Sequence, residues 1–418
     1  MVHIDIPQDV KFILEKLRVS GYEAYAVGGC VRDSLLGKTP KDWDVTTSAL
    51  PEEVKNIFPR TVDTGIKHGT VTVLVNGAGY EVTTYRVDGE YLDGRHPEEV
   101  SFTASLDEDL KRRDFTINAL VYNETDGIKD LFDGVKDLEN GIIRCVGIPG
   151  ERFGEDALRI LRAVRFAAVL GFSIEPLTYE AAVKLAGNLD KVSAERIRAE
   201  LEKILISTNP EHICLLNNMG ISRVILRELE SVSNTGPLEK ALKNSPPDPF
   251  VRWSVFTYFI ENACIKKEPG CIAKEIMQRL KFDNRTRDMV ILFLRTVDNL
   301  PESFGKIPER ALTGRRILNA VGCENVFLFL DFCTSVSNRK EDIEEYSALR
   351  TEIEGIIERK ECFSLKTLAI NGRDLMKEHL AEGKELGMLL DYLLDTVLID
   401  PGKNTREHLL EVARKYGH

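Results

Sequence analysis

The sequence predicts an α+β protein in which a small N-terminal α/β domain precedes a long all-helical region. Before residue 140, short β-rich runs alternate with turn residues. After residue 150, nearly every segment has the 3.6-residue periodicity of an amphipathic helix. Clusters of glycine and proline then divide the helical part. A chain of 418 residues is long enough for about three domains.

The N-terminal region contains three recognisable β signals. "AYAVGG" and "WDVTTS" are typical of short strands, and we expect the second strand to run through Asp44. Between them, residues 31–36 are expected to form a short helix. The stretch "GTVTVLVNGAGYEVTTYR" predicts a hairpin, because two alternating runs are joined through "NGAG".

Composition excludes several classes of protein. The net charge of −11 disfavours a general nucleic-acid binder but is compatible with a local basic cleft. Eight cysteines without C-x-x-C spacing indicate reduced thiols and disfavour a zinc site. The longest apolar runs, "MVILFL" and "VFLFL", are far shorter than the ~20 residues that span a bilayer, and the N-terminus does not resemble a secretory signal. We therefore expect a cytoplasmic location and no membrane contact.

A cluster of chemically informative residues lies between positions 28 and 44. The Gly28-Gly29 pair permits close approach of backbone to a ligand, and Arg32 falls in the first turn of the expected helix, where a phosphate would need positive charge. Asp42 and Asp44 are two apart, so an extended backbone points both carboxylates to one face. Two neighbouring acids repel unless a cation neutralises them, and their oxygens suit Mg²⁺.

The stretch "EDALRILRAVRF", residues 155–166, places an arginine at every third position. On a continuous helix, Asp156 would lie beside Arg159, and Arg162 and Arg165 would follow on the same side. One interpretation is a solvated amphipathic helix with a single ion pair. The other is that this face binds a ligand.

Five ordered stretches resemble one enzyme family. "GGCVRDSLLGKTPKDWDVTT" resembles the signature of the DNA polymerase β superfamily of nucleotidyltransferases, and more narrowly that of class II tRNA CCA-adding enzymes and their poly(A) polymerase relatives. The motifs that follow in the same order are "EVTTYRVDGEYLDGRHPEEVSF", "DLKRRDFTINAL", "EDALRILRAVRFAAVLGF" and "SAERIRAELEKIL". "LAINGRDLMK" and "LLDTVLIDPGKNTREHLL" also resemble the family's C-terminal part, so the resemblance covers nearly the whole chain.

The resemblance implies a role for individual residues. It assigns Asp42 and Asp44 to catalysis and to Mg²⁺ binding, and Asp156 with Arg159 to selection of the nucleotide base. Glu81 is a candidate third acid of the metal site. The remaining positions that match nucleotide-contacting residues for ATP or CTP are Gly29, Arg32, Arg113, Arg162 and Arg165.

The same resemblance implies a domain plan. It predicts a nucleotidyltransferase head with a mixed sheet over residues 1–140, followed by a neck over 141–205 that contains the base-selecting helix. A helical body over 206–300 and a helical tail over 301–418 would bind tRNA. In "SAERIRAELEKIL", Ser193 is expected to be the N-cap of a neck helix.

The implied activity is template-independent addition of C, C and A to the 3′ acceptor end of tRNA from CTP and ATP, with release of pyrophosphate. A poly(A) polymerase and an A-only enzyme share most of these motifs, and a catalytically inactive RNA-binding relative is a further alternative. The intact Asp42 and Asp44 argue against the inactive alternative. The segment "YRVDGEYLDGRHPEEVSF", residues 85–102, resembles the family's flexible loop at full length, which disfavours a CC-only enzyme. No histidine is followed by aspartate, so an added HD-type phosphohydrolase activity is not expected. The sequence leaves monomer and homodimer open.

Overall fold

The structure is a computed structural model that describes residues 3–88, 100–264, 268–301, 303–305 and 308–416. It divides into two compact units, residues 1–230 and 231–418. The first unit combines a sheet with helices, and the second is helical throughout its described residues. The predicted α+β class is therefore correct.

The first unit begins with a mixed seven-stranded sheet and its flanking helices. The strands of this unit are β1 (Ala24–Val27), β2 (Val45–Thr47), β3 (Thr61–Gly65), β4 (Thr70–Val75), β5 (Ala78–Thr84), β6 (Arg86–Asp88), β7 (Val100–Phe102), β8 (Leu120–Asn123), β9 (Gly127–Asp130), β10 (Ile142–Ile143) and β11 (Ser173–Ile174). The large sheet has the order β3-β4-β5-β2-β1-β8-β9. Its neighbouring pairs are antiparallel except β2 and β5, which run parallel.

The helices of the first unit carry the motifs of interest. They are α1 (Gln8–Val19), α2 (Gly29–Leu35), α3 (Pro51–Ile57), α4 (Leu106–Lys111), α5 (Gly134–Asn140), α6 (Pro149–Glu155), α7 (Leu158–Leu170), α8 (Pro176–Leu185), α9 (Ala194–Leu205), α10 (Leu215–Asn218) and α11 (Ser222–Ile225). A buried cluster that includes Tyr25, Tyr85 and Leu110 packs one face of the sheet against α4.

Two local expectations about this unit are confirmed and two need correction. The hairpin is present, with a two-residue turn at Asn76 and Gly77, both at positive φ. The short helix lies at Gly29–Leu35 rather than 31–36. Strand β2 starts at Val45, so Asp42 and Asp44 lie in the segment before it. The backbone there keeps the alternation, since Trp43 is buried between the two exposed aspartates.

The second unit consists of helices packed around large aromatic side chains. Its helices are α12 (Gly236–Asn244), α13 (Pro249–Ala263), α14 (Cys271–Arg279), α15 (Asn284–Asp298), α16 (Glu309–Val321), α17 (Val326–Val336), α18 (Lys340–Glu358), α19 (Gly372–Lys377), α20 (Gly383–Ile399) and α21 (Arg406–Tyr416). Trp253, Phe293 and Phe332 are fully buried. Leu389, Leu393 and Leu409 belong to a second apolar cluster that α20 and α21 share.

Among the described residues, no single helix has the length and apolar character needed to cross a membrane; the bent pair Glu309–Val321 and Val326–Val336 meets the criterion by length and composition alone. All eight cysteines are free thiols.

Candidate active site

Three carboxylates meet at one end of the central strands. The parallel register pairs Val45 of β2 with Val82 of β5, so the preceding residues Asp44 and Glu81 lie side by side. Asp42, Asp44 and Glu81 all line a cavity of about 650 Å³. All three side chains are exposed and form no hydrogen bond or ion pair with the described part of the chain. The cavity therefore has a strongly anionic wall.

The negative charge of this wall favours binding of a cation. Loss of solvent around Asp44 raises the pKa of its carboxyl, the charges of Glu81 and Asp42 raise it further, and only Arg113 opposes them. No group of three or more His, Cys, Asp or Glu side chains arranged around a metal position occurs among the described residues. Two aspartates in an open cavity are nevertheless a fitting donor set for Mg²⁺, which is usually bound by one or two carboxylates together with substrate phosphates and water.

The side chain of Arg113 lies beside the glycine turn at Gly28 and close enough to Asp44 to lower its pKa. Its Nη2 donates to Asp109 at 3.3 Å, and Asp109 also accepts from Thr46 of β2 at 3.2 Å. Gly28 has φ of 76°, and a Cβ there would lie 3.3 Å from Nη1 of Arg113. The glycine is therefore required both by its backbone conformation and by the arginine beside it.

The expected pairing of Asp156 with Arg159 is wrong. The helix ends at Glu155, and Asp156 has φ of −141° and ψ of 104°, outside the helical region. Its Oδ1 accepts from the backbone N–H of Leu158 at 3.0 Å, so it stabilises the start of α7. Its Oδ2 pairs with Arg196 of α9 at 2.7 Å. The (i, i+3) spacing does not pair Asp156 with Arg159, because the helix is interrupted at Asp156 between α6 and α7.

Arg159 is held by a separate set of partners. Its Nη1 donates to the carboxylate of Glu155 at 2.5 Å and to the carbonyl of Arg152 at 3.1 Å. Its Nη2 donates to the carbonyl of Arg112 at 3.1 Å. Asp156 and Arg159 therefore lie near the same helix start, each fixed by different elements.

Arg162 forms an ion pair with a buried carboxylate. Its Nε donates to Asp114 at 2.8 Å, and Asn118 donates to the other oxygen of Asp114 at 3.0 Å. Burial alone would raise the pKa of Asp114, but the charge of Arg162 and these hydrogen bonds lower it to about 2. Asn118 in turn accepts from Arg32 at 2.6 Å. Arg162 and Arg32 are thus joined through two intervening side chains.

Arg165 and Arg32 share an aromatic neighbour. The guanidinium carbons of Arg165 and Arg32 lie 4.0 and 5.2 Å from the ring centroid of Phe166, and that of Arg162 lies at 5.5 Å. Arg165 also pairs with Glu200 of α9 at 2.7 Å. Burial lowers the pKa of Arg165 to about 10, although Glu200 opposes the shift. Three guanidinium groups therefore pack around one ring, and each of them also forms an ion pair with a carboxylate.

The predicted site residues thus lie in two regions of the first unit, the cavity wall and the surroundings of helix α7. Asp42 and Asp44 lie in the cavity wall together with Glu81, with Arg113 beside them. Arg32, Arg162 and Arg165 surround Phe166, and Asp156 and Arg159 lie at the start of α7. Sequence reasoning missed their partners, which are Asp109, Asp114, Asn118, Arg196 and Glu200. These partners lie inside the motifs "DLKRRDFTINAL" and "SAERIRAELEKIL" and are up to 86 positions away along the chain, but nothing in the motifs shows which side chains pair.

Comparison with known proteins identifies the class. Family models described as the poly A polymerase head domain, the RNA- and SrmB-binding site of polymerase A, and domain 2 of tRNA nucleotidyltransferase match residues 24–144, 171–232 and 253–413. The fold and the carboxylate-lined cavity, together with these matches, define a tRNA nucleotidyltransferase.

Full-length relatives narrow the class further. The chain is 37% identical over 414 residues to the CCA-adding enzyme of Lactiplantibacillus plantarum, covering 97% of this chain and 96% of the relative. It is also 37% identical to the CCA-adding enzyme of Ligilactobacillus salivarius, covering 99% and 98%. A crystal structure of the Bacillus stearothermophilus CCA-adding enzyme in complex with CTP superposes with a TM-score of 0.80 at 30% identity, covering 98% of each chain. The chain belongs to the family of CCA-adding enzymes.

Proposed function

We propose that this enzyme adds C, C and A to the 3′ end of tRNA from CTP and ATP and releases pyrophosphate. The observation that carries this proposal is the carboxylate wall, the cavity wall formed by Asp42, Asp44 and Glu81. Asp42 and Asp44 face an open cavity and have no hydrogen-bond or ion-pair partner among the described residues, in a chain of the CCA-adding family. A catalytically inactive relative would have no reason to keep two repelling carboxylates in that position. The cytoplasm is the proposed location.

The roles proposed for the acids follow from their positions. Asp42 and Asp44 would hold Mg²⁺ between the cavity wall and the triphosphate, and Glu81 is proposed as a supporting acid. When bound, Mg²⁺ supplies charge stabilisation at the α-phosphate and lowers the pKa of the attacking 3′-hydroxyl. Asp44, whose pKa is raised by its surroundings, gains from any cation that neutralises the wall.

The triphosphate is proposed to lie between this wall and the arginines. Gly29 begins α2 beside the turn, and its backbone allows close approach of phosphate oxygens. Arg113 lies next to the turn at Gly28, so its positive charge faces the same space. Arg32, Arg162 and Arg165 are already paired with carboxylates of the protein, so we propose that they shape this pocket.

Asp156 and Arg159 are proposed to select the base. A carboxylate accepts from the exocyclic amine of cytosine or adenine, and a guanidinium donates to the adjacent ring nitrogen. Uracil presents an oxygen and an N–H at those places, so both contacts would become repulsive. Each oxygen of Asp156 accepts one hydrogen bond, and a carboxylate can accept about four, so capacity remains for the amine.

Product sizes test the proposed function. Purified enzyme is incubated with tRNA lacking its 3′ end and with CTP, ATP or both. We expect two added nucleotides with CTP, none with ATP alone, and three with both. A long ladder with ATP would indicate a poly(A) polymerase, and addition only to tRNA that already ends in CC would indicate an A-only enzyme. No product under any condition would contradict the proposal.

Residues 89–99 lie outside the described part of the chain. The sequence there is rich in glycine and charge, which suits gating of a change in the pocket, so we predict that deletion of residues 88–96 impairs addition of the final A more than the two C additions.

A further inference from the structure

The cavity beside the carboxylate wall has a second side that the proposed chemistry does not use. This side is lined by Lys41 and Tyr80, together with small and apolar residues. Lys41 is the single cation among the described residues that line the cavity. It is exposed and, although it precedes Asp42 directly in the chain, it forms no hydrogen bond or ion pair with the described residues. An unpaired positive charge therefore lies beside the three acids.

Tyr80 supplies a fixed aromatic ring on the same side of the cavity. It lies in β5 directly before Glu81 and is half-buried. Its hydroxyl donates to one oxygen of Asp9 in α1 at 3.1 Å, and Asn76 donates to the other oxygen at 2.7 Å. Because the hydroxyl is anchored at its far end, the ring is held in one orientation at the cavity.

The geometry of phosphoryl transfer decides what this side can bind. In the proposed function, the triphosphate lies toward Gly29 and Arg113, and Arg113 is not among the described residues that line the cavity of Lys41 and Tyr80. The attacking and leaving oxygens lie roughly in line through the reacting phosphorus, so the 3′-hydroxyl approaches from the side opposite the pyrophosphate. The RNA end should therefore enter along the side that Lys41 and Tyr80 line.

We propose that Lys41 and Tyr80 bind the 3′-terminal nucleotide of the tRNA acceptor. The ammonium of Lys41 pairs with the phosphate on the 5′ side of that nucleotide, and the ring of Tyr80 stacks on its base. A cation next to an aromatic ring binds single-stranded RNA without reading its sequence. That tolerance suits an enzyme whose acceptor ends in a different base as addition proceeds. The inference rests on the proposed function.

A structural role explains Lys41 less well than it explains Tyr80. If Lys41 served to neutralise the acids, it would pair with one of them, and no such pair occurs among the described residues. Tyr80 does have a structural contact, the hydrogen bond to Asp9. The variants must therefore separate the ring of Tyr80 from its hydroxyl.

The first test measures tRNA binding by the full-length enzyme without metal or nucleotide. Two RNAs are compared: tRNA lacking CCA, which ends in one unpaired nucleotide, and the same tRNA trimmed back to the last base pair of the acceptor stem. The variants are Lys41→Gln, Lys41→Arg, Tyr80→Leu and Tyr80→Phe. Lys38→Gln is the matched control, because Lys38 is an exposed lysine of the same segment that does not line the cavity.

We expect Lys41→Gln to weaken binding of tRNA lacking CCA about fivefold, the upper range for one exposed ion pair. The slope of log Kd against log salt should become shallower by about 0.7, the value for one phosphate contact on a single strand. Tyr80→Leu should weaken binding about tenfold through loss of base stacking. Both variants should bind the trimmed tRNA as the wild type does, and Lys38→Gln should bind both RNAs normally.

The conservative variants and the kinetics separate the proposed roles from other ones. Lys41→Arg keeps the charge and Tyr80→Phe keeps the ring, so each should restore most of the binding. In CTP addition to tRNA lacking CCA, Lys41→Gln should raise KM for tRNA by the same factor as Kd and leave KM for CTP level. Thermal unfolding of every variant separates loss of binding from loss of stability.

Several outcomes would overturn the inference while the proposed function stands. A higher KM for CTP in Lys41→Gln would mean that Lys41 binds the triphosphate. Equal weakening with the trimmed tRNA would place Lys41 against the paired stem. Equal losses in Tyr80→Phe and Tyr80→Leu would show that the bond to Asp9 matters and the ring does not. Failure of the wild-type enzyme to add any nucleotide would instead refute the proposed function itself.

Discussion

The cavity wall and helix α7 each carry three side chains of one charge, but only the charges on α7 are neutralised by ion pairs. Asp42, Asp44 and Glu81 have no ion-pair partner among the described residues, and the pKa of Asp44 is raised. On α7, by contrast, Arg159, Arg162 and Arg165 each pair with a carboxylate. The acids that we propose bind a metal ion are exposed and repel one another, whereas the arginines that we propose shape the pocket are already paired with carboxylates.

The largest expected effect comes from the exposed acids. Asp42→Asn or Asp44→Asn should reduce nucleotide addition by about a thousandfold or more, because metal positioning carries most of phosphoryl transfer. The melting temperature should stay level or rise, since one repelling charge is removed. Steady-state assays with CTP and scanning calorimetry measure both. Asp391→Asn, an exposed acid of the second unit, serves as control. Activity above a tenth of wild type would contradict the assignment.

Arg162→Met, in contrast, should mainly lower the free energy of unfolding. It leaves Asp114 buried without its counter-charge, a change that costs about 3 kcal/mol or more in comparable pairs. If Arg162 shapes the pocket, kcat/KM for CTP, ATP and UTP should fall by the same factor. Urea unfolding and the three kinetic constants provide the measurement. A selective loss for one nucleotide would show that Arg162 contacts the base instead.

The same pair predicts a pH dependence of stability. The pKa of Asp114 is about 2 in the folded protein, against 3.8 for an ordinary aspartate. Its contribution is therefore complete above about pH 5 and is lost progressively as the pH falls through 3.8 toward 2. The loss is about 2 kcal/mol, at ~1.4 kcal/mol per pKa unit. The stability difference between wild type and Asp114→Asn should shrink over this range, and a constant difference would argue against the assignment.

The smallest effect is expected at the start of α9. Ser193 is at the N-cap position, but its side chain accepts no capping hydrogen bond, contrary to the sequence-based prediction. Helix α9 is instead held by its buried leucines and its pairs with the α7 region. Ser193→Ala should therefore change the free energy of unfolding by less than ~0.5 kcal/mol, below the ~1 kcal/mol of a working cap. Asp248→Ala, at an N-cap that accepts two backbone N–H groups, is the contrasting control.

The sequence alone predicted the fold class and the hairpin, because turn chemistry and periodicity are local properties, and its ordered motifs indicated the family by resemblance. It also predicted that Asp42 and Asp44 share a face. It did not predict how charges pair. Asp44 beside Glu81 follows from parallel strand register, and Arg196 beside Asp156 follows from packing of α9. Both are long-range consequences of the fold. The break at Asp156 was not predicted, although Gly154 lies two residues before it, because the regular arginine spacing over 155–166 favoured one continuous helix.

A series of hydrogen bonds joins Arg162, Asp114, Asn118 and Arg32. This series limits where the chain can be divided into stable fragments. These contacts join residues on both sides of position 140, where the sequence places the end of the head. A fragment that stops there would lack Arg162, so Asp114 would lose its counter-charge. Such a fragment should therefore be less stable than residues 1–230, the compact unit that keeps all four side chains together.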